Sequence, residues 1–486
     1  MRFEAFNAQT QQQNALVWSD SLIIDTRTLV SIVHDFNTEP DLCVLESADP
    51  TYARYGDSYI AMRAYQHIRL NYADQVYTHK NGKTVRIHEA LYAYLSTLIA
   101  YYRMPVSASF CGGIIGYLTY ECVTLSHATV PVNPSPGYKA QFMIPRTVIK
   151  FNNATHEVTL HQWVFKSDWA ESIRNCYEKT KIEVDELKHR LAQPAKAAPA
   201  SPLTRRIQTE TLFSDNWTKS EFLKTVETAQ AYIRAGDIFQ MQLSRKRSTA
   251  LQTSPFYLYR LLRHQNPSPF MYYLKLNQTC LLGSSPELLV GVEATTVTIR
   301  PIAGTRKRHS QNKTRTDAYI IAELETNDKE RAEHVMLVDL ARHDLKQCCD
   351  AGSIRVNTLM AIEKYQHVVH MVSDVTGQLS PGYTAVDAFK FGFPAGTVTG
   401  APKIRAMQLI HELEREHRGA YSGGVVFFDF CNQLKSTLII RSIFIAGDQA
   451  TTQAAAGIVA DFVPDDEWQE TVNKMQSSID VMRSVL

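Results

Sequence analysis

Between residues 238 and 302 five strand-like runs (238–244, 270–275, 279–282, 288–292 and 296–302) follow one another without the regular strand–helix alternation of a parallel sheet. Further runs at 423–430, 437–445 and 454–460 lie downstream, and 146–151 and 158–165 lie upstream. Helical periodicity is interspersed near 87–102, 219–235 (ending at Gly236), 332–345 and around 467–479. Strands in this irregular order predict an α+β fold with large antiparallel β-sheets. The amphipathic stretch from 168 to 191 runs into AQPAKAAPASPLTRR, where Pro194, Pro199 and Pro202 cannot continue a helix. The main boundary is placed there. It leaves an amino-terminal domain at 20–165, a helix with a Pro/Ala-rich connector at 166–214, and a larger domain at 215–480.

The net charge of +2 carries no polyanion-binding bias, and no basic run interleaved with aromatics points to nucleic acid. No apolar run approaches the ~18 residues of a membrane span, and the amino terminus lacks the basic-then-apolar layout of a signal peptide. The eight cysteines form no CxxC pair, so neither a disulfide scaffold nor a zinc ribbon is expected. A reducing, cytoplasmic setting follows.

Two carboxylate pairs stand out: Glu330 and Glu333, and Glu467 and Glu470, the second pair followed by Lys474. Spacing of three puts each pair on one helix face. Glu333 falls inside the apolar stripe of Met336, Leu337 and Leu340, and Glu330 at its edge. A carboxylate there is paired, protonated or metal-bound, and a buried salt bridge is as good a reading as a metal. The second pair lies off its own stripe of Trp468, Val472, Met475 and Ile479, and by itself reads as solvated surface. The small-residue loop at 393–403 enters a helix near Pro402, which suits either a bound anion or a plain turn. His370, in the apolar run 368–372, reads as a core histidine.

The segments GDIFQMQLSR, SPELL, RPIAGTR, DKERAEHVMLVDLAR, FPAGTVTGAPKIRAMQLI, AAGIVAD and DDEWQETVNK occur in the order found in chorismate-utilising enzymes, and resemble in particular component I of anthranilate synthases. A weaker likeness runs through Val44–Ser47 and 111–117. The resemblance implies antiparallel sheets forming a sandwich surrounded by helices. It also implies a reaction: ammonia adds at C2 of chorismate as the C4 hydroxyl leaves, and pyruvate is then eliminated to give anthranilate. It makes Glu333 and Glu470 ligands of Mg²⁺, and Glu330 the acid that protonates the departing hydroxyl. Glu467 and Lys474 stand beside the metal and the substrate carboxylate. Gly304, Thr305, Tyr421, Arg441 and the backbone of Ala455, Ala456 and Gly457 match chorismate contacts. His370 and Thr397 match positions near the enolpyruvyl side.

Gln240 and Ala303 occupy positions where sister enzymes carry a water-activating lysine and a nucleophilic lysine, so direct attack by ammonia is the consistent reading. Ser47, Pro269, Phe270 and Met271 resemble a tryptophan inhibitor motif, with Phe270 in place of the usual tyrosine. Ala455 replaces a glycine and Lys435 an aspartate. No glutaminase Cys-His-Glu arrangement is recognisable, so the implied ammonia source is a separate glutamine amidotransferase subunit, component II, in a hetero-oligomer. Two alternatives remain open at this stage: component I of an aminodeoxychorismate synthase, with the amino group at C4, and a catalytically silent chorismate-binding regulatory subunit.

Overall fold

The computed structural model describes residues 1–47, 56–104, 110–135, 137–195, 212–308, 316–365, 368–461 and 463–485; the connector residues 196–211 lie outside these. Every strand pairing among the described residues is antiparallel. The strands alternate faces with a period of two. In Asp57–Leu70, Tyr59 and Ala61 face one apolar core while Ile60 and Met62 face another. Gly424–Asp429 does the same, with Val425 and Phe427 inside and Val426 and Phe428 outside. Strands buried on both sides can read as continuous apolar runs, as Gly424–Asp429 does, whereas Asp57–Leu70, with Arg63, Gln66, His67 and Arg69 along it, was not expected. The inner core is the filling of a curled antiparallel sandwich; the outer faces are covered by helices.

Segments on either side of the connector pair directly. Leu42–Glu46 bonds to Phe270–Leu276, and Gly113–Leu118 to Gly424–Asp429. No helix among the described residues is long and apolar enough to cross a membrane. The helix expected at 219–235 is Lys219–Arg234, opened by a Thr218–Glu221 capping box.

Several elements differ from the sequence reading, among them the unexpected strands Ala15–Ile23, Asp57–Leu70 and Arg355–Lys364. The run at 437–445 is two strands, Leu434–Leu438 and Ser442–Ala446, because the chain breaks at Arg441, which holds φ +50. Helix Pro255–Gln265, between two strand runs, was not expected; proline at its first turn marks the start.

Candidate active site

Helices Asp328–Lys346 and Pro464–Arg483 and strands Gln240–Ala250, Ile302–Lys307, Val368–Gln378 and Gln449–Ile458 carry most of the candidate residues. Helix Asp328–Lys346 starts at Asn327, whose side chain accepts the Glu330 amide, so Glu330 lies in the first turn and Glu333 one turn on. Glu330 accepts a hydrogen bond from Arg306 Nη1 at 2.8 Å. Gly304, at φ +77, makes the strand Ile302–Lys307 turn beneath this carboxylate; a Cβ there would lie 3.1 Å from Glu330 Oε2 and 2.9 Å from Leu324. Thr305 stands opposite His370 in the strand pairing, while its side chain lies outside the described residues.

Glu333 is held by Gln240, whose Nε2 donates to Oε1 at 2.6 Å. Burial pushes the Glu333 carboxyl up. The Gln240 hydrogen bond and Lys474 pull the other way, while the charges of Glu330 and Glu470 add to the rise. Those couplings bring both carboxylate pairs into one electrostatic neighbourhood. Helix Pro464–Arg483 supplies the second pair. Glu467 is only 4 % exposed, so the surface reading of this pair fails for it: Glu467 points inward beside Thr471 and Met475. Lys474 Nζ donates to Glu470 at 2.5 Å and to the Ala455 carbonyl at 2.9 Å. Burial works against the Lys474 charge, but Glu470 outweighs it and holds the ammonium above its ordinary range. Both side chains keep about two-fifths of their surface, at 41 and 42 %, so the pair faces solvent or a ligand.

Ala455, Ala456 and Gly457 lie on Gln449–Ile458, paired with Ser244, Leu243 and Gln242. A Cβ on Gly457 would sit 2.9 Å from the amides of both Gln240 and Gln242, so its absence makes room for them. Arg441 is depressed by burial and supported by Glu287, and its charge reaches His370 and Lys474. His370 is pushed down to about 3, first by burial and then by Arg441, and is therefore neutral. Tyr421 is buried beside Lys474 and Arg418.

Two residues the sequence reading passed over belong to this site. Glu287, in the SPELL run, is 6 % exposed and accepts a 2.6 Å hydrogen bond from Thr397 Oγ1. Burial raises its carboxyl to about 7, against the opposing pull of Thr397, Lys474 and Arg441. Arg418 is the buttress. It bonds Glu414, the carbonyls of Val398 and Gln242, and Ser422 Oγ, tying three segments together beneath Tyr421. Glu287 lies in the SPELL run but its partner Thr397 is remote, and Arg418 has Glu414 and Ser422 four residues away while the carbonyls of Val398 and Gln242 that it ties in are remote in the chain.

The loop at 393–403 is a close-packed turn. Its Lys403 is consumed by Asp344 at 2.6 Å, and Gly396 leaves space that Leu340 fills, with a would-be Cβ at 2.1 Å. Thr397 on this loop joins the site through Glu287.

None of the four glutamates lines either of two sizeable cavities among the described residues. One, of about 480 Å³, is walled by Tyr117, Gln141 and Tyr421. The other, of about 520 Å³, is lined by Ser47, Pro269, Phe270 and Met271 together with Glu46 and Lys435. The inhibitor-motif residues are thus brought together, apart from the glutamates. Lys435 Nζ lies 4.7 and 4.8 Å from the ring centroids of Tyr59 and Phe110.

A divalent cation suits this donor set in one respect. Glu333 and Glu470 are hard oxygen donors that repel each other, and a cation between them relieves the repulsion. No group of three His, Cys, Asp or Glu side chains poised for a metal occurs among the described residues, so remaining ligands would come from water and substrate, as Mg²⁺ favours.

A family profile described as chorismate binding enzyme matches residues 42–480. The chain is 40 % identical over 373 residues to anthranilate synthase component 1 of Aquifex aeolicus, covering 76 % of this chain and 74 % of that one. It is 35 % identical to the Bacillus subtilis counterpart over 97 % of this chain and 92 % of that one. The crystal structure of anthranilate synthase component I from Streptococcus pneumoniae superimposes with a TM-score of 0.74 at 31 % identity, covering 87 % of this chain and 91 % of that one.

Proposed function

The chain belongs to the chorismate binding enzymes, and from that premise we propose that it is component I of an anthranilate synthase, converting chorismate and ammonia to anthranilate and pyruvate. The single observation that carries the chemistry is a buried carboxyl, Glu287, poised near neutrality beside two cations. A general acid works best when its pKa lies near the working pH. Resemblance gives the acid role to Glu330, but that carboxylate is paired with Arg306, whereas Glu287 is buried and tuned. The proposal therefore moves the proton donor to Glu287.

Arg441 and Lys474 bind and orient the substrate carboxylates, with Tyr421 and the backbone of 455–457 forming the wall. Glu333 and Glu470 would hold Mg²⁺, which when bound supplies positive charge to the ring carboxylate. Glu287 gives its proton to the C4 hydroxyl, which leaves as water as ammonia bonds C2 and the ring double bonds shift. Gln240, an amide and not a base, does not activate water in place of ammonia. His370 is neutral and accepts the C2 proton as the C3–O bond breaks and enolpyruvate leaves, which becomes pyruvate on taking up a proton at its methylene carbon. A substrate carboxylate on Arg441 screens the charge that lowers His370, and so strengthens it as a base when chorismate is bound.

Ammonia comes from a glutamine amidotransferase partner, and the cavity around Ser47 and Phe270 takes an inhibitory amino acid, tryptophan. The test is the purified chain with chorismate, Mg²⁺ and ammonium, products resolved by chromatography. Anthranilate supports the reading; 4-amino-4-deoxychorismate, or no product with chorismate bound, refutes it.

A further inference from the structure

The helix that brings Glu467, Glu470 and Lys474 to the site begins without a cap. Its N-cap is Val463, which makes no side-chain hydrogen bond to the first-turn amides. Pro464 removes one orphan N–H, the Val463 carbonyl accepts from Asp466 and Glu467, and Asp465, Asp466 and Glu467 favour the positive end of the helix dipole, but no N-cap side chain secures the turn. The ion pair between Lys219 and Asp465 on this turn is exposed on both sides, at 52 and 63 %, and such pairs hold little.

Trp468 is the anchor. Phe222 meets its ring edge-on at 5.5 Å and 68°. Over it lies Arg245, with its guanidinium carbon 3.8 Å from the ring centroid. Arg245 is only 2 % exposed, and it sits on Gln240–Ala250, the strand that also carries Gln240. Asp215 is 3.7 Å away, beyond hydrogen-bond reach, and Nε and Nη1 have no acceptor among the described residues. The buried guanidinium is compensated by the charge of Asp215, which Arg247 shares at 3.1 Å, and by the indole face.

We infer that Arg245 is a positioning residue: its stack on Trp468 takes the place of the missing cap and fixes the first turn of helix Pro464–Arg483, setting Glu467 and Glu470 in register with Gln240 and Glu333. The stack ties the helix directly to the strand that holds the opposite half of the site. The link to catalysis rests on the reading of Glu470 given above; the clamping of the turn does not.

The test uses the whole chain with Arg245→Met, followed by amide hydrogen exchange and by direct Mn²⁺ binding in the absence of turnover. Exchange across 464–471 is expected to speed up at least about tenfold while helix Asp328–Lys346 stays protected. Mn²⁺ affinity falls by about tenfold, the size seen when an outer support of a metal ligand is lost. Arg245→Lys keeps a cation over the indole and recovers most of both, and adding Val463→Asp to Arg245→Met restores slow exchange by supplying a cap. Unchanged exchange and affinity, or exchange that rises evenly over the whole chain, would overturn the inference. If Arg245→Met does not fold, Trp468→Phe decides: locally faster exchange supports the clamp, and unchanged exchange overturns it. A wild-type chain that binds no Mn²⁺ refutes the metal reading alone, because the exchange result stands without it.

Discussion

Replacing Glu287 by glutamine is expected to make the protein more stable above neutral pH while abolishing its chemistry. Glu287 is raised from 4.5 to about 7 in the folded chain. One pKa unit corresponds to about 1.4 kcal/mol, so carrying a charge at this buried position costs about 3 kcal/mol. The sign follows from proton binding. In the unfolded chain the carboxyl loses its proton near 4.5, whereas the folded chain keeps its own until about 7. Folding is therefore favoured by the full amount at pH values below 4.5, and that contribution is lost as pH rises through about 7. Glutamine has similar shape, can still accept from Thr397, and does not titrate. Urea unfolding of both chains should give a stability difference that moves in favour of Glu287→Gln by about 3 kcal/mol between pH 4 and pH 8. Turnover of the wild type should fall as pH rises through about 7, and Glu287→Gln should lose roughly 10²–10⁴-fold in kcat. Parallel stability curves, or a glutamine variant with near-normal turnover, would refute the reasoning.

Glu470→Gln should leave the fold intact and abolish Mg²⁺-dependent turnover, checked by circular dichroism and a Mg²⁺ titration; near-normal activity sinks the metal assignment. Gly457→Ala places a methyl 2.9 Å from the Gln240 and Gln242 amides, which are movable side-chain ends. Stability should drop by only about 1 kcal/mol in urea, while displacement of Gln240 from Glu333 weakens divalent-cation binding measured directly. Arg418→Met leaves Glu414 buried without its partner, and urea unfolding should register a loss of about 3–5 kcal/mol.

Many strands were legible because runs buried on both faces are apolar, whereas Asp57–Leu70 and Arg355–Lys364 carry polar residues along their length and were missed. Glu333 was legible for a related reason: a carboxylate on an apolar stripe breaks the helical pattern, and it does face inward, hydrogen-bonded by Gln240. Glu467 was misread by the same rule. Polarity stands in for exposure only where the interior is apolar, and this helix turns Glu467 toward a polar site at 4 % exposure. The break at Arg441 was hidden because the run on either side is apolar and continuous; the positive φ that interrupts the strand leaves no mark on residue type.

Sequence by itself determined the α+β class, the helix registers that pair the glutamates, and, through the order of its motifs, the resemblance to chorismate-utilising enzymes. Only the tertiary structure decided which carboxyl is tuned to neutrality. Glu287 owes its state to burial, to Thr397 from a distant loop, and to Arg441 and Lys474 from two further segments. Periodicity and propensity are local and can be read along the chain. A proton's free energy depends on the dielectric and the charges around it, and those are fixed only once remote segments have packed together.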